Sequence, residues 1–362
     1  MADGTRHLSP KARARAFCDR FGLRLPILEA PMAGACPPAL AAAVANSGGM
    51  GALGAVLTSP AEIADWVSQF RAASNGSLQI NMWIPDPPPV RDSGAEDRVR
   101  GFLSQWGPEP PPEAGDITPP DFEAQCEAML AAGPAVISSI MGVYPPDFVA
   151  RMKARDISWF ANVTTLAEAR QAEAAGADVI VAQGLEAGGH RGAFDAAAAE
   201  RQLAGLFALV PRLADHVSVP IVATGAIADG RGVAAALALG ASAVQIGSGL
   251  LQTPEAAIHP AWAATLAEVE PEDTVLTRAI SGRLGRAAAN DYLRAAAAPE
   301  APRPAPYPVQ RGLTAKMRQA ALAEGDPTRM QMWSGQSAAL GTAEPAAELM
   351  RRIWDEASAL IH

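Results

Sequence analysis

Along most of this chain, short unbroken apolar runs alternate with alanine-rich helical stretches at the spacing of βα units. Strands covered on both faces read as continuous apolar runs, whereas half-exposed strands alternate apolar with polar positions. The runs at 26–30, 51–55, 78–83, 135–139, 158–163, 178–182, 220–224 and 243–247 are of the first kind. Between them the pattern predicts helices over 37–47, 60–73, 121–132, 146–153, 166–175, 201–214 and 231–239. Thr164 or Thr165 can cap the helix at Leu166. Gly176 and Gly240 stand just past helix ends, where a left-handed residue is favoured. Eight such units in about 250 residues fit an α/β fold, a (β/α)8 TIM barrel, better than an open doubly wound sheet.

Two stretches fall outside the repeat. Residues 85–120 are crowded with proline and glycine between the third strand and its helix, and read as a long surface excursion, a lid or an insertion. Beyond Pro254 roughly a hundred residues follow, with a proline-rich linker at 302–308 and two late helical segments. The expected division is a barrel over 1–255 and a C-terminal helical segment over 256–362 that caps it and lines the substrate side.

Composition narrows the function. A length of 362 residues, 49% hydrophobic and 19% charged, suits a soluble globular protein, and the net charge of −9 argues against a nucleic-acid or anionic-membrane surface. Cys18, Cys36 and Cys126 are odd in number and widely spaced, so no disulfide framework or metal site is expected, and a reducing, cytoplasmic compartment fits best. No secretion signal or membrane-length apolar window is found. Natural substrate and homo-oligomer formation are not readable from these features.

In this architecture chemistry sits on the loops at the C-terminal strand ends. The loop after the sixth strand reads Gln183-Gly-Leu-Glu-Ala-Gly-Gly-His190-Arg-Gly-Ala-Phe194, a histidine among four glycines. Glycines there allow close backbone approach to a ligand, and His190 has little bulk beside it, so it is expected to face a cavity. Asn81, at the end of the third strand, either addresses a flat heterocycle or merely forms a turn. Thr224-Gly-Ala-Ile-Ala-Asp-Gly230 and Gln245-Ile-Gly-Ser-Gly249 end the seventh and eighth strands, where such barrels bind phosphate. Ser248 can add a hydroxyl. Gly49-Met-Gly51-Ala-Leu-Gly54 satisfies G-x-G-x-x-G but leads into a strand rather than following one, so no dinucleotide role is assigned to it.

Those loops resemble the nitronate monooxygenase family, class I in particular. The likeness extends over most of the chain, taking in Ala30-Pro-Met-Ala-Gly34, Thr277-Arg-Ala-Ile-Ser-Gly282, Ala305-Pro-Tyr-Pro-Val-Gln310 and Met332-Trp-Ser-Gly-Gln-Ser337. The resemblance implies non-covalent FMN held by Asn81, Gln183, Gly188, Gly225, Gln245, Gly247 and Ser248, with Met32 near the ring. It implies His190 as the catalytic histidine, and Tyr307 and Arg311 on the substrate side. The implied reaction is oxidation of an alkyl nitronate such as propionate 3-nitronate by O2, giving a carbonyl compound and nitrite. His190 would either attract the anion when protonated or remove the α-proton of a nitroalkane when neutral. Flavin-dependent enoyl and NADH:quinone reductases share the loop, so a reductase of a quinone or enoyl thioester is the alternative, and a non-catalytic flavin-binding protein a further one. The chain departs from the family pattern at Ala35-Cys-Pro-Pro38, which places a thiol near the expected flavin. It departs again at Ala226, where a second glycine is common, and at Ser248-Gly249 in place of Thr-Ala.

Overall fold

The computed structural model describes residues 8–361. Its strands are Ile27–Glu29 (β1), Gly51–Gly54 (β2), Leu78–Trp83 (β3), Val136–Ile140 (β4), Ser158–Val163 (β5), Val179–Gln183 (β6), Gly189–His190 (β7), Ile221–Thr224 (β8), Ala243–Ile246 (β9), Thr274–Thr277 (β10) and Gly285–Ala288 (β11). Eight of them form one parallel sheet in the order β1-β9-β8-β6-β5-β4-β3-β2. A parallel bridge between Leu28 and Met50 joins its two edges, so the sheet closes into the expected TIM barrel. The continuous apolar runs have the burial that predicts such a sheet: β2, β6, β8 and β9 are buried at every position.

Helices Pro38–Ser47, Pro60–Ala73, Phe122–Ala132, Pro146–Lys153, Leu166–Ala174, Leu206–Ala214 and Gly230–Ala238 surround the barrel. Thr165 caps the fifth of these in a capping box with Glu168, and Gly176 and Gly240 are left-handed as expected. The helix expected over 201–214 begins only at Leu206. Ala204 is held out of it because its carbonyl accepts from Leu185 N–H, and the Glu186 carboxylate takes the first helical N–H, that of Leu206.

The eighth outer helix, Ala346–Leu360, comes from the far end of the chain. It packs between the helices Gly230–Ala238 and Pro38–Ser47, and its Leu349, Met350 and Ile353 belong to the barrel's own core. An N-terminal helix that the pattern did not predict, Pro10–Phe21, plugs the opposite mouth. Its Phe17 and Phe21 meet Phe160 inside the barrel, with centroids 6.1 and 5.0 Å away.

Both irregular stretches are more ordered than the sequence suggests. Within 85–120 lies a helix, Ser93–Leu103, whose Val99 and Leu103 are buried against Ile280, Tyr292, Val309 and Leu313 of the C-terminal segment. The expected surface excursion is thus a packed layer, since a helix with an apolar face has a partner surface here. The segment after 255 holds helices as expected, but also β10 and β11, which with β7 make a three-stranded antiparallel sheet. The glycines of the G-x-G-x-x-G stretch serve packing. A Cβ on Gly51 would lie 2.5 Å from the Ala41 carbonyl, and one on Gly54 2.8 Å from Ala33 N. Among the described residues, no helix is long and apolar enough to cross a membrane, and no group of three or more metal-ligating side chains occurs.

Candidate active site

At the C-terminal ends of the strands lies a cavity of about 250 Å³. Met32, Asn81, Gln183, Gly188, His190, Gly225, Gln245, Gly247, Ser248, Tyr307 and Arg311, the flavin- and substrate-side residues that the resemblance implies, all line it.

At the barrel floor, Gln79 Nε2 donates to Gln245 Oε1 at 3.1 Å, which leaves the Gln245 amide N–H groups for the cavity. Asn81 donates to Ser138 Oγ at 3.0 Å, which orients its carboxamide. Gln183 bridges its own loop: Nε2 donates to the His190 carbonyl at 3.0 Å, and Oε1 accepts from Gly192 N–H at 2.8 Å.

At the ends of β8 and β9 the chain forms a cradle of backbone N–H groups. Those of Ala226, Ser248 and Gly249 donate to no protein acceptor among the described residues. Gly225 turns there with φ +112°, and a Cβ on it would meet Ala187 at 2.9 Å. Ala226 follows with φ +53°, a left-handed conformation without glycine's freedom. Ser248 Oγ accepts from Gly335 N–H at 2.9 Å, tying the cradle to the C-terminal segment. Gly188 lets that segment approach, since a Cβ there would lie 2.5 Å from Gly335 N. Asn162 Nδ2 and Trp262 Nε1, also on the wall, are buried donors without an acceptor.

His190 stands at the other end. Its backbone is fixed as β7, opposite Gly285 of β11. Its ring lies edge-on to Trp83 at 4.7 Å and tilted to Trp333 at 4.7 Å, and Nε2 is 2.7 Å from Ser281 Oγ. Burial, aided by the charges of Arg283 and Arg311, pushes the imidazole down to about 3, although part of the ring still borders the cavity. Arg283 is paired with Asp86 at 2.8 Å, whereas the Arg311 guanidinium has no hydrogen bond or carboxylate partner among the described residues. Burial raises the Tyr307 hydroxyl, against the pull of Arg311.

Trp83, Ser281, Arg283 and Trp333 escaped the sequence reading. Three of them lie within or beside segments that carried the resemblance, yet only folding shows that residues so far apart share one ring of contacts. Cys36 does not reach the cavity wall: its thiol is buried behind it, donating to the Ala30 carbonyl at 3.4 Å and accepting from Met32 N–H at 3.3 Å.

Fold and site define a TIM-barrel enzyme with its reactive loops at the C-terminal strand ends. The family model for nitronate monooxygenase matches residues 15–356. A nitronate monooxygenase of Paraburkholderia phytofirmans is 39% identical over 345 residues, 94% of this chain and 94% of that one. Another, from Pseudomonas aeruginosa, is 38% identical over 93% of this chain and 99% of its own length. Among solved structures, nitroalkane oxidase from Streptomyces ansochromogenes superposes with a TM-score of 0.86 at 32% identity, over 95% of this chain and 98% of that one. FabK from Thermotoga maritima does so with a TM-score of 0.74 at 26% identity, over 95% and 96%. The chain belongs to the nitronate monooxygenase family, whose members depend on flavin.

Proposed function

We propose that this enzyme holds FMN in the cavity described above and oxidises alkyl nitronates, propionate 3-nitronate among them, with O2 to a carbonyl compound and nitrite. The observation that carries the reading is the pairing of unsatisfied donors at one end of the cavity with His190 and an unpartnered Arg311 at the other. The donor set suits the group. Free N–H groups at Ala226, Ser248 and Gly249 match a phosphate at the seventh and eighth barrel strands, and the amides of Asn81 and Gln245 match a heterocycle rich in acceptors. Bound FMN supplies the redox step between substrate and O2.

The remaining work falls to side chains. Arg311 attracts the anionic head group, a part that a neutral imidazole cannot play. His190, neutral at physiological pH, accepts the α-proton when a nitroalkane rather than its nitronate arrives. Trp83 and Trp333 hold the imidazole ring and exclude water around it.

The test is an O2-electrode and nitrite assay of purified holoenzyme with propionate 3-nitronate, beside an anaerobic titration with NADH. O2 uptake with nitrite release and an unbleached flavin under NADH are expected. Inert nitronate with full bleaching by NADH would replace this reading with that of a quinone or enoyl-thioester reductase.

A further inference from the structure

We infer that Arg191, which does not line the cavity, is a positioning residue for His190: its guanidinium clamps two backbone carbonyls and so fixes where the imidazole stands. The inference rests on the reading of His190 as the base that takes a nitroalkane's α-proton. Arg191 is 4% exposed. Nη1 donates to the Gln183 carbonyl at 2.7 Å and Nη2 to the Gln202 carbonyl at 3.0 Å, while Nε has no acceptor. Among the described residues no carboxylate pairs with it, and Glu168 and Glu186 favour its charge without touching it. Burial accordingly pushes the guanidinium down to about 10. An arginine set on neutral acceptors costs more to bury than an apolar side chain of similar length. What it holds accounts for it.

The clamp closes a circle through the loop after β6. Arg191 grips the Gln183 carbonyl, and the Gln183 side chain in turn grips the His190 carbonyl at 3.0 Å and the Gly192 N–H at 2.8 Å. The Arg191 N–H donates to the Leu284 carbonyl at 2.8 Å. The peptide unit that follows His190 is therefore held at both of its polar atoms, from β6 on one side and from the start of β11 on the other. Only a planar fork lets one side chain hold Gln183 and the segment at Gln202 together; an ammonium would reach one of them. Farther along, the Glu168 carboxylate takes the Phe194 N–H at 2.8 Å, so the loop is tied at that end too. The imidazole so placed meets Ser281 Oγ at 2.7 Å between Trp83 and Trp333. A shift of about 1 Å in its backbone would break that contact and cost about 10²-fold in rate.

The experiment compares full-length wild-type holoenzyme with Arg191→Met and Arg191→Lys. With nitroethane, which must lose a proton to His190, Arg191→Met should lower kcat about 10- to 100-fold and leave KM little changed. Ethyl nitronate, already deprotonated, should be turned over at nearly the wild-type rate. Arg191→Lys, which keeps the charge and one of the two contacts, should recover part of the loss. A second readout does not depend on turnover: imidazole ¹⁵N–¹H correlation spectra from about pH 5 to 8, with His190 assigned by its loss in His190→Asn. In wild type the His190 signals should stay those of one neutral tautomer throughout. In Arg191→Met, where the loop relaxes and water reaches the ring, they should titrate or exchange between tautomers. An unaltered His190 spectrum overturns the inference, as does an equal loss on nitroethane and ethyl nitronate. Should Arg191→Met fail to fold, Arg191→Lys decides by the same two readouts. An altered His190 spectrum in a variant, when wild type oxidises neither nitroethane nor its nitronate, upholds the clamp and removes the nitronate reading instead.

Discussion

His190 Nε2 and Ser281 Oγ, 2.7 Å apart, join the loop after β6 to the turn between β10 and β11. Ser281 Oγ also receives Arg283 N–H and donates to the Arg283 carbonyl, each at 3.3 Å. The arrangement that satisfies all three contacts has Nε2–H donating to Ser281, which leaves the lone pair on Nδ1. Ser281→Ala should therefore lower kcat/KM for nitroalkanes about tenfold, the worth of one hydrogen bond, with flavin content unchanged. Ser281→Thr should restore it. Equal losses on nitroalkane and preformed nitronate would count against a role in setting the tautomer.

A histidine pushed down to about 3 does not titrate near neutrality. The pH profile of kcat/KM between 5.5 and 9 should show no limb near the ordinary 6.5 that vanishes in His190→Asn. That variant should keep its flavin and lose about 10²- to 10⁴-fold on nitroalkanes. Stability follows with a definite sign. The unfolded chain takes up a proton below 6.5 and the folded one only near 3, so the contribution is whole above 6.5 and is lost as pH falls towards 3. Denaturant midpoints at pH 4.5 and 7 check it.

Arg311 carries the cavity's unpaired positive charge. Arg311→Met should raise KM for propionate 3-nitronate by about 10- to 100-fold, the range for a bond to a charged group. Steady-state kinetics should show a rise of similar size for ethyl nitronate, which carries the same anionic head. A rise confined to propionate 3-nitronate would place the guanidinium at the carboxylate instead of the head group.

Ala226 holds φ +53°, a conformation that costs a non-glycine residue about 1 kcal/mol. Ala226→Gly should recover much of that in chemical denaturation, with flavin retained. Gly225→Ala should do the reverse, because φ +112° is closed to alanine and its Cβ would strike Ala187. Purified Gly225→Ala is expected to carry substoichiometric flavin.

Glu29 is wholly buried, and burial drives its carboxyl up to about 8, against a hydrogen bond from the Ala52 N–H. The unfolded chain releases this proton near 4.5, the folded one near 8, so stability declines as pH rises through that window. Glu29→Gln should cancel the decline, with a benefit over wild type larger at pH 8 than at pH 5. Melting temperatures at the two pH values measure it, and an equal shift at both would mean that Glu29 is ionised in the fold.

The barrel was legible because its strands, covered on both faces, leave short apolar runs such as Val179-Ile-Val-Ala182 that recur at βα spacing. The cavity residues on strand ends followed from that register. The helix Pro10–Phe21 carried readable signals, Ser9 before Pro10 and Gly22 behind Phe21, but lies ahead of the repeat that organised the reading. The small sheet was not legible. Gly189–His190 is two residues long and Gly285–Ala288 reads Gly-Arg-Ala-Ala, so their pairing is imposed by tertiary contact rather than by propensity. Trp83, Ser281 and Trp333 meet His190 from three distant segments, and no spacing rule links them.

The helix Ala346–Leu360 completes a ring whose other members all precede residue 239. During synthesis the barrel core is therefore left open on one side while everything that covers the active site is being made. Leu349, Met350 and Ile353 then close the gap between two helices that have long since emerged. The cover is consequently anchored at both of its ends, and a chain interrupted before Ala346 exposes a greasy groove that invites chaperones or self-association.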